Sequence, residues 1–497
     1  MIKRIFLGLL LVLVALATML VLNTLRQGSR QLAVPALAPM VVDSAAVAAS
    51  LAEALRARTV SGLLDATGTA AEFDRLQAHL RQRYPLVHSS LQREVIGNHS
   101  LLFTWRGSDD KAKPMALLAH QDVVPIAPGT EALWKQPPFG GEIDGGFVWG
   151  RGALDDKSNL ITQLEAVESL LKSGFKPLRT VYLVFGHDEE VGGRQGVVAI
   201  VALLKQRGVR LDFVLDEGMA VTEGILPGVA QPLALIGLAE KGSVSLKLTA
   251  SAAPGHSSMP PAAGTSAIGR LSAALTRVDH SPMPGGIHGA AAEMFAAVAP
   301  ELPFGQRLAM SNLWLTRPLV EGLLGKGAAT NAMMRTTTAL TVVNAGNKEN
   351  VLPGQAEAIV NFRILPGDSI ASVAAHVQRV VADDHIEVKP LGVAFEPSKL
   401  ATSAAAPFKL IERAVREVFP NALVAPSLML AASDARHFDD ISDHSYRFMP
   451  IRFKSEDLAR VHGNDERIPV DQLADMVRFY HRLLQTAAGA PPEGKQP

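Results

Sequence analysis

Near the start of the chain two basic residues, Lys3 and Arg4, precede an essentially apolar run, Ile5–Leu22, with Asn23 the first strongly polar residue after it. At 1.5 Å per residue these about 18 positions reach roughly 27 Å, enough to cross a bilayer's hydrocarbon core. They carry no polar stripe, which a core helix of this length would need. The pattern predicts a transmembrane segment over 1–24 and a Pro-containing linker over 25–42. A signal anchor and a cleaved signal peptide share this signature. Ala15-Leu16-Ala17 and Ala36-Leu37-Ala38 have a cleavable form, but apolar residues follow the first and Pro39 the second, which favours an uncleaved anchor. The basic N-terminal flank places that end in the cytoplasm and the body outside it, periplasmic or extracellular; Arg26 and Arg30 pull the other way.

Beyond the linker the period changes. Asp43–Ala66 and Ala70–Arg83 carry apolar residues at helical spacing. Short apolar runs at Leu101–Trp105, Pro114–Ala119, Thr180–Phe185 and Leu211–Leu215 read as strands buried on both faces, with helices at Asn159–Leu171 and Val197–Lys205. After Lys241, Ser243–Leu248 and Ala356–Ile364 alternate apolar and polar residues, the mark of half-exposed antiparallel strands. Thr265–Arg277 and Ile370–Asp383 are the helices that accompany them. The first pattern resumes past Ala401 with helix Pro407–Phe419, a strand or strand plus turn at Tyr446–Phe453, and helix Val470–Thr486. The expected fold is α/β: a mixed-sheet domain in two parts, 43–241 and 396–486, interrupted by an inserted α+β domain at 242–395 and followed by a disordered tail, 487–497. The Gly/Ala/Pro-rich stretch 281–330 gives no assignment.

The length of 497 residues independently calls for two domains. Lys+Arg and Asp+Glu balance at 48 each, so no basic surplus points to nucleic acid as a partner. The absence of Cys means that any metal must be held by His, Asp and Glu.

Those residue types gather where strands end. Thr180–Phe185 runs into Gly186–Gly193, GHDEEVGG. Clustered acids after a buried strand repel and resist desolvation, and a bound cation resolves the conflict. Glu190 is then the ligand and Glu189 the base that takes a proton from an activated water. A solvated acidic loop is the plain alternative. The strand before it ends at His120-Gln121-Asp122, where Asp122 would orient His120. The strand after it ends at Asp216. Open α/β sheets bind ligands at the carboxyl ends of strands, so the recurrence favours a site. Asp155, in Gly150–Lys157 (GRGALDDK), would bridge two metal ions, or Asp155-Asp156 would merely cap the next helix. His462, after the first domain resumes, is the natural closing ligand.

These segments, with Gly255–Pro260 (GHSSMP) and His462-Gly463, occur in the order and approximate spacing of the M20 metallopeptidases, and the chain resembles their carboxypeptidase S-like and N-acyl amino acid hydrolase branch from about Ala45 to Leu484. The resemblance implies a catalytic domain of the zinc-exopeptidase type with the insert as a lid. It implies two Zn2+ per chain, or Co2+ or Mn2+ in their place. His120 and Asp216 would hold one, Glu190 and His462 the other, with Asp155 bridging and the peptide bond after it cis. Glu189 matches the general acid/base and Asp122 the carboxylate supporting His120. His256 matches a lid histidine that stabilises the oxyanion, often across a homodimer formed through the lid. Asn350 and Arg363 match residues that bind a substrate carboxylate. Ser433–Arg436 resembles a substrate-site loop without assignable roles. The implied activity is hydrolysis of an amide or peptide bond beside a free-carboxylate amino acid, on small peptides or N-acyl amino acids. An aminopeptidase or dipeptidase of the same fold, and a non-catalytic binding protein, are the competing readings.

Overall fold

The computed structural model describes residues 1–38, 40–62, 69–226 and 228–489. Its centre is a ten-stranded sheet. In spatial order the strands are Gln92–Ile96, Ser100–Trp105, Val181–Gly186, Met115–His120, Leu211–Asp216, Ser442–Arg447, Leu233–Glu240, Val221–Glu223 and Arg452–Lys454, with Leu423–Met429 also beside Leu233–Glu240. The four strands from Val181–Gly186 to Ser442–Arg447 are mutually parallel, so their carboxyl ends share one edge.

The apolar runs are continuous because both faces are covered. Val181, Leu183 and Phe185 enter one core, with helices Ser44–Arg56, Lys157–Lys172, Ala406–Val418 and Val470–Ala488. Tyr182 and Val184 enter a second core, with helix Val197–Gln206. Successive strand side chains point to opposite faces, so each run feeds both layers.

The lid is a separate four-stranded antiparallel sheet, ordered Thr337–Ala345, Gln355–Ile364, Gly242–Ser251 and Ile386–Phe395. Its alternation is realised: Val244, Leu246, Leu248 and Ala250 are buried against helices Ala267–His280 and Ile370–Val381, while the residues between them are less covered.

Several expectations need correction. The first body helix stops at Arg56, because Thr59 and Val60 run extended beside Gln121–Val123; Ala66 lies outside the described residues. Tyr446–Phe453, expected as a strand or a strand plus turn, is two strands, Ser442–Arg447 and Arg452–Lys454, on either side of a buried irregular segment containing Pro450. The last helix continues to Ala488, where the Ala488 carbonyl accepts from Leu178 N, so the tail does not begin at 487; residues 490–497 lie outside the described set. The stretch 289–334 is helical and leaves the lid. Its first helix, Gly289–Val298, packs Met294 and Phe295 with Leu423 and Ala425 of the central sheet.

The N-terminal helix spans Ile2–Arg26, and no part of its apolar window is buried in the body. It is the one helix among the described residues long and apolar enough to cross a membrane. The linker that follows is laid on the body. Gln31 exchanges two hydrogen bonds with the Val424 backbone, Leu37 N donates to Glu417 O, and Arg416 and Arg478 donate to the Leu32 and Met40 carbonyls.

Candidate metal centre

The shared carboxyl edge of the parallel strands brings His120 and Glu190 together, and the loops that carry Asp155 and His462 meet them there. Asp155 lies at the middle of this group. His120 Nε2 is 2.8 Å from Asp155 Oδ1, and His462 Nε2 is 3.0 Å from Asp155 Oδ2. Glu190 Oε2 is 3.3 Å from His462 Nε2. Two imidazoles on the two oxygens of one carboxylate is the arrangement a bridging ligand requires. The Asp155–Asp156 peptide is cis, as the resemblance implies.

Asp122 does more than orient His120. It is fully buried, with Oδ1 3.4 Å from His120 Nδ1, and its two oxygens accept the backbone N–H groups of Glu189 and Glu190, each at 3.2 Å. His120 Nδ1 also hydrogen-bonds the Asp122 carbonyl at 3.0 Å, so one residue fixes both the His120 ring and the short 3-10 turn Glu189–Val191. The first two ionisable residues of GHDEEVGG serve the fold. His187 Nδ1 meets Ser100 Oγ at 2.6 Å, and the Asp188 carboxylate accepts from Gln195 N and Gly196 N. Gly193 must be glycine: its φ is +68°, and a Cβ there would lie 2.6 Å from Asp434 Oδ1.

Asp216 does not join the cluster. Its Oδ1 accepts Glu217 N at 2.9 Å and its Oδ2 accepts Ala435 N at 2.7 Å. Glu217 does face the cluster, with Oε1 3.7 Å from His120 Nε2, and it forms a potential ligand group with His120 and Asp156. Strand phase does not separate the two acids, because His120 follows Leu118 into the same layer that Asp216 follows Val214 into; the donor from Ala435 is what engages Asp216.

The loop Ser433–Arg436 supports the edge from below. Ser433 donates to Glu240 from both N and Oγ, and Arg436 lies 3.7 Å from the same carboxylate. Asp434 is the residue that sequence reasoning left without a role; it is buried against Gly186 and Gly193. A second unforeseen pair is Arg151–Glu466, buried at 2.6 Å. Glu466 Oε1 accepts the N–H groups of Gly152, Leu154 and Asp155, while Arg151 donates to the His462 and Gly463 carbonyls.

Electrostatics fit cations. Burial, then the Asp434 carboxylate, hold Glu189 well above the ordinary carboxylate range. Burial also raises Glu190 and Glu217. His462 is raised to about 10 by hydrogen bonds with Asp155 and Glu190. His120 is raised despite its burial, through Asp122 and Asp155. Glu190 Oε1 and Asp156 Oδ1 are buried without a hydrogen-bond partner. Crowded carboxylates, two imidazoles and orphaned oxygens form a donor set suited to divalent cations, whose charge would hold Asp155, Glu190 and Glu217 ionised.

The lid residues lie apart from this cluster. Arg363 pairs across from Ser243 at the base of the lid, near the buried Lys241. His256 and Asn350 lie beyond the other end of the same strand, where Ser257 N donates to Asn350 O. The ten-residue strand between them is about 30 Å long. His256 Nδ1 accepts from Ser258 N, which leaves the proton of the neutral ring on Nε2, facing outward to donate.

Comparison with known proteins gives the family. The pattern of Peptidase family M20/M25/M40 matches residues 116–486. A "Probable carboxypeptidase S-like 2" of Dictyostelium discoideum is 38% identical over 488 residues, covering 95% of this chain and 92% of that one. The "N-fatty-acyl-amino acid synthase/hydrolase PM20D1" of Xenopus tropicalis is 41% identical over 444 residues, covering 88% and 85%. Among solved structures, the M20 family metallo-carboxypeptidase Sso-CP2 from Sulfolobus solfataricus aligns with a TM-score of 0.62 at 18% identity, covering 90% of this chain and 99% of that one. With its fold and its edge of ligand-type residues accounted for, the chain belongs to peptidase family M20/M25/M40 and is a hydrolase of that family.

Proposed function

We propose that the chain hydrolyses the amide bond beside a free-carboxylate amino acid, in N-acyl amino acids or at the C-terminus of small peptides. The observation that carries this reading is the placement of His120 and His462 on the two oxygens of Asp155, with Glu190 on the same cluster and Glu189 beside it. Two zinc ions fit His120, Asp155, Glu190 and His462, with Glu217 in place of Asp216 as the remaining carboxylate. When bound, such ions lower the pKa of water toward neutrality and polarise a carbonyl.

The protein's own groups do the rest. Glu189 accepts a proton from the attacking water and returns it to the leaving amine; its raised pKa suits the second task. Asp122 keeps Glu189 and the His120 ring in register through its three contacts. Arg363 offers a planar fork to the carboxylate of the amino-acid half, and Asn350, which sits with His256 at the far end of the lid, would reach it only from a second copy of the chain. His256 donates Nε2–H to the developing oxyanion. Its distance along the lid from Arg363 supports donation from a second copy of the chain, through a lid-mediated homodimer. The apolar N-terminal helix supports a membrane-anchored body outside the cytoplasm.

Glu189→Gln tests the mechanism. We expect turnover of N-acyl amino acids and C-terminally free dipeptides to fall by about 10²- to 10⁴-fold, with bound metal unchanged by elemental analysis. Full turnover in the variant would remove Glu189 from the reaction. Arg363→Ala should raise KM for these carboxylate-bearing substrates; an unchanged KM would favour an aminopeptidase that reads a free amine.

A further inference from the structure

Helix Leu313–Leu324 turns the wrong kind of face outward for a helix in water. Leu315, Leu319 and Leu323 form an i, i+4, i+8 stripe, and with Trp314 they are 45, 64, 59 and 59% exposed respectively. Phe304, at the start of the preceding helix, is 54% exposed. Arg317 is the exposed charge on this helix, and it lies 3.6 Å from Glu321. Scattered surface leucines need no explanation, but a contiguous apolar face implies something that covers it.

The surroundings say what covers it. Asn312, which precedes the helix, donates to Leu20 O and Thr24 Oγ1 of the N-terminal helix, and Asn23 donates back to Ser311 O and Asn312 Oδ1. Arg307 donates to Thr24 O. Trp314 lines one crevice with Ala15, Thr18, Met19 and Leu22. Ala15 to Asn23 is about 12 Å of helix, so Trp314 lies level with the last turns of the membrane-spanning stretch, near the headgroups. Trp is favoured at that depth. The stitched linker then holds the body against this corner.

We infer that the Trp314–Leu323 face lies in the bilayer leaflet from which the N-terminal helix emerges, as an in-plane interfacial helix that fixes the body's orientation on the membrane. The occupant is phospholipid. The inference rests on the anchor reading of the N-terminal helix and adds a second, monotopic attachment to it.

The cysteine-free sequence makes the test direct. Leu319→Cys and Leu323→Cys, each in the full chain, would carry a single environment-sensitive fluorophore; Lys389→Cys, on the exposed lid, is the control. The chains are reconstituted in phosphatidylcholine vesicles with or without brominated acyl chains, and flotation is scored alongside. The expected result is that labels at 319 and 323 shift to the blue and lose most of their emission to brominated lipid, while the label at 389 does not. Chains that float but keep labels 319 and 323 open to aqueous iodide would overturn the inference and leave the anchor standing. Labels shielded from both iodide and bromine would overturn it in favour of a second copy covering the face. Chains that fail to float would remove the anchor reading and the inference together.

Discussion

Glu217 and Asp216 are adjacent, yet Glu217 faces the cluster while Asp216 accepts two backbone N–H groups. Glu217→Ala should lower bound metal from two ions toward one, measured by elemental analysis after dialysis. Asp216→Asn should leave metal near two and act through stability, because it weakens the acceptors of Glu217 N and Ala435 N. The reverse pattern would restore Asp216 as the ligand. His462 supplies a pH prediction. Its pKa is raised to about 10 in the fold, against an ordinary value near about 6.5. The stability it lends to the metal-free chain is therefore complete below about pH 6.5 and lost as pH rises through about 10. The ring is half-exposed, so the effect is small. We expect the Tm of chelator-treated protein to decline with pH across that window, less steeply in His462→Gln. Metal affinity should climb over the same window, because the ring must shed its proton to bind. At this scale the sequence was readable wherever a strand ended in one candidate, as at His120. It was ambiguous where two acids were adjacent, since the backbone donor that engages Asp216 comes from Ala435, far away in sequence.

The elements that carry Asp155 and His462 come from opposite ends of the chain and are joined by Arg151 and Glu466. Glu466→Ala leaves the Arg151 charge buried and frees three loop N–H groups. Removing one partner of such a pair costs about 3–5 kcal/mol, which denaturant unfolding would read, with weakened metal retention as a second consequence. A loss under about 1 kcal/mol would mean the pair behaves as though exposed. Strands with clean apolar runs were legible, and so was the lid's alternation. Leu423–Met429 was not, because Pro426 argues against a strand interior. It is tolerated where the strand pairs on one side with Leu233–Glu240. The helices within 289–334 were hidden for another reason: their order comes from packing on the sheet and the N-terminal helix, which composition does not encode.

Across the whole molecule, the reading of His256 as a donor to a second copy predicts complementation. Glu189→Gln and His256→Ala chains should each be inactive alone. Co-expressed, they should recover turnover, since one heterodimer site pairs an intact Glu189 with the partner's intact lid. No recovery in a verified heterodimer would confine His256 to its own chain. The two-part domain with its insert was legible because the period of the pattern changes twice; the seating of the N-terminal segment was not. A free coil of the linker's length would let the body drift by about 20 Å. Here hydrogen bonds hold the linker along the Leu423–Met429 edge, and the N-terminal helix is bonded separately to Ser311 and Asn312. Covalent continuity is then only one of the attachments. On the anchor reading, a protease that cuts between Gly28 and Leu37 is expected to leave the body held by these bonds, so release into solution would take both a cut and a disengagement.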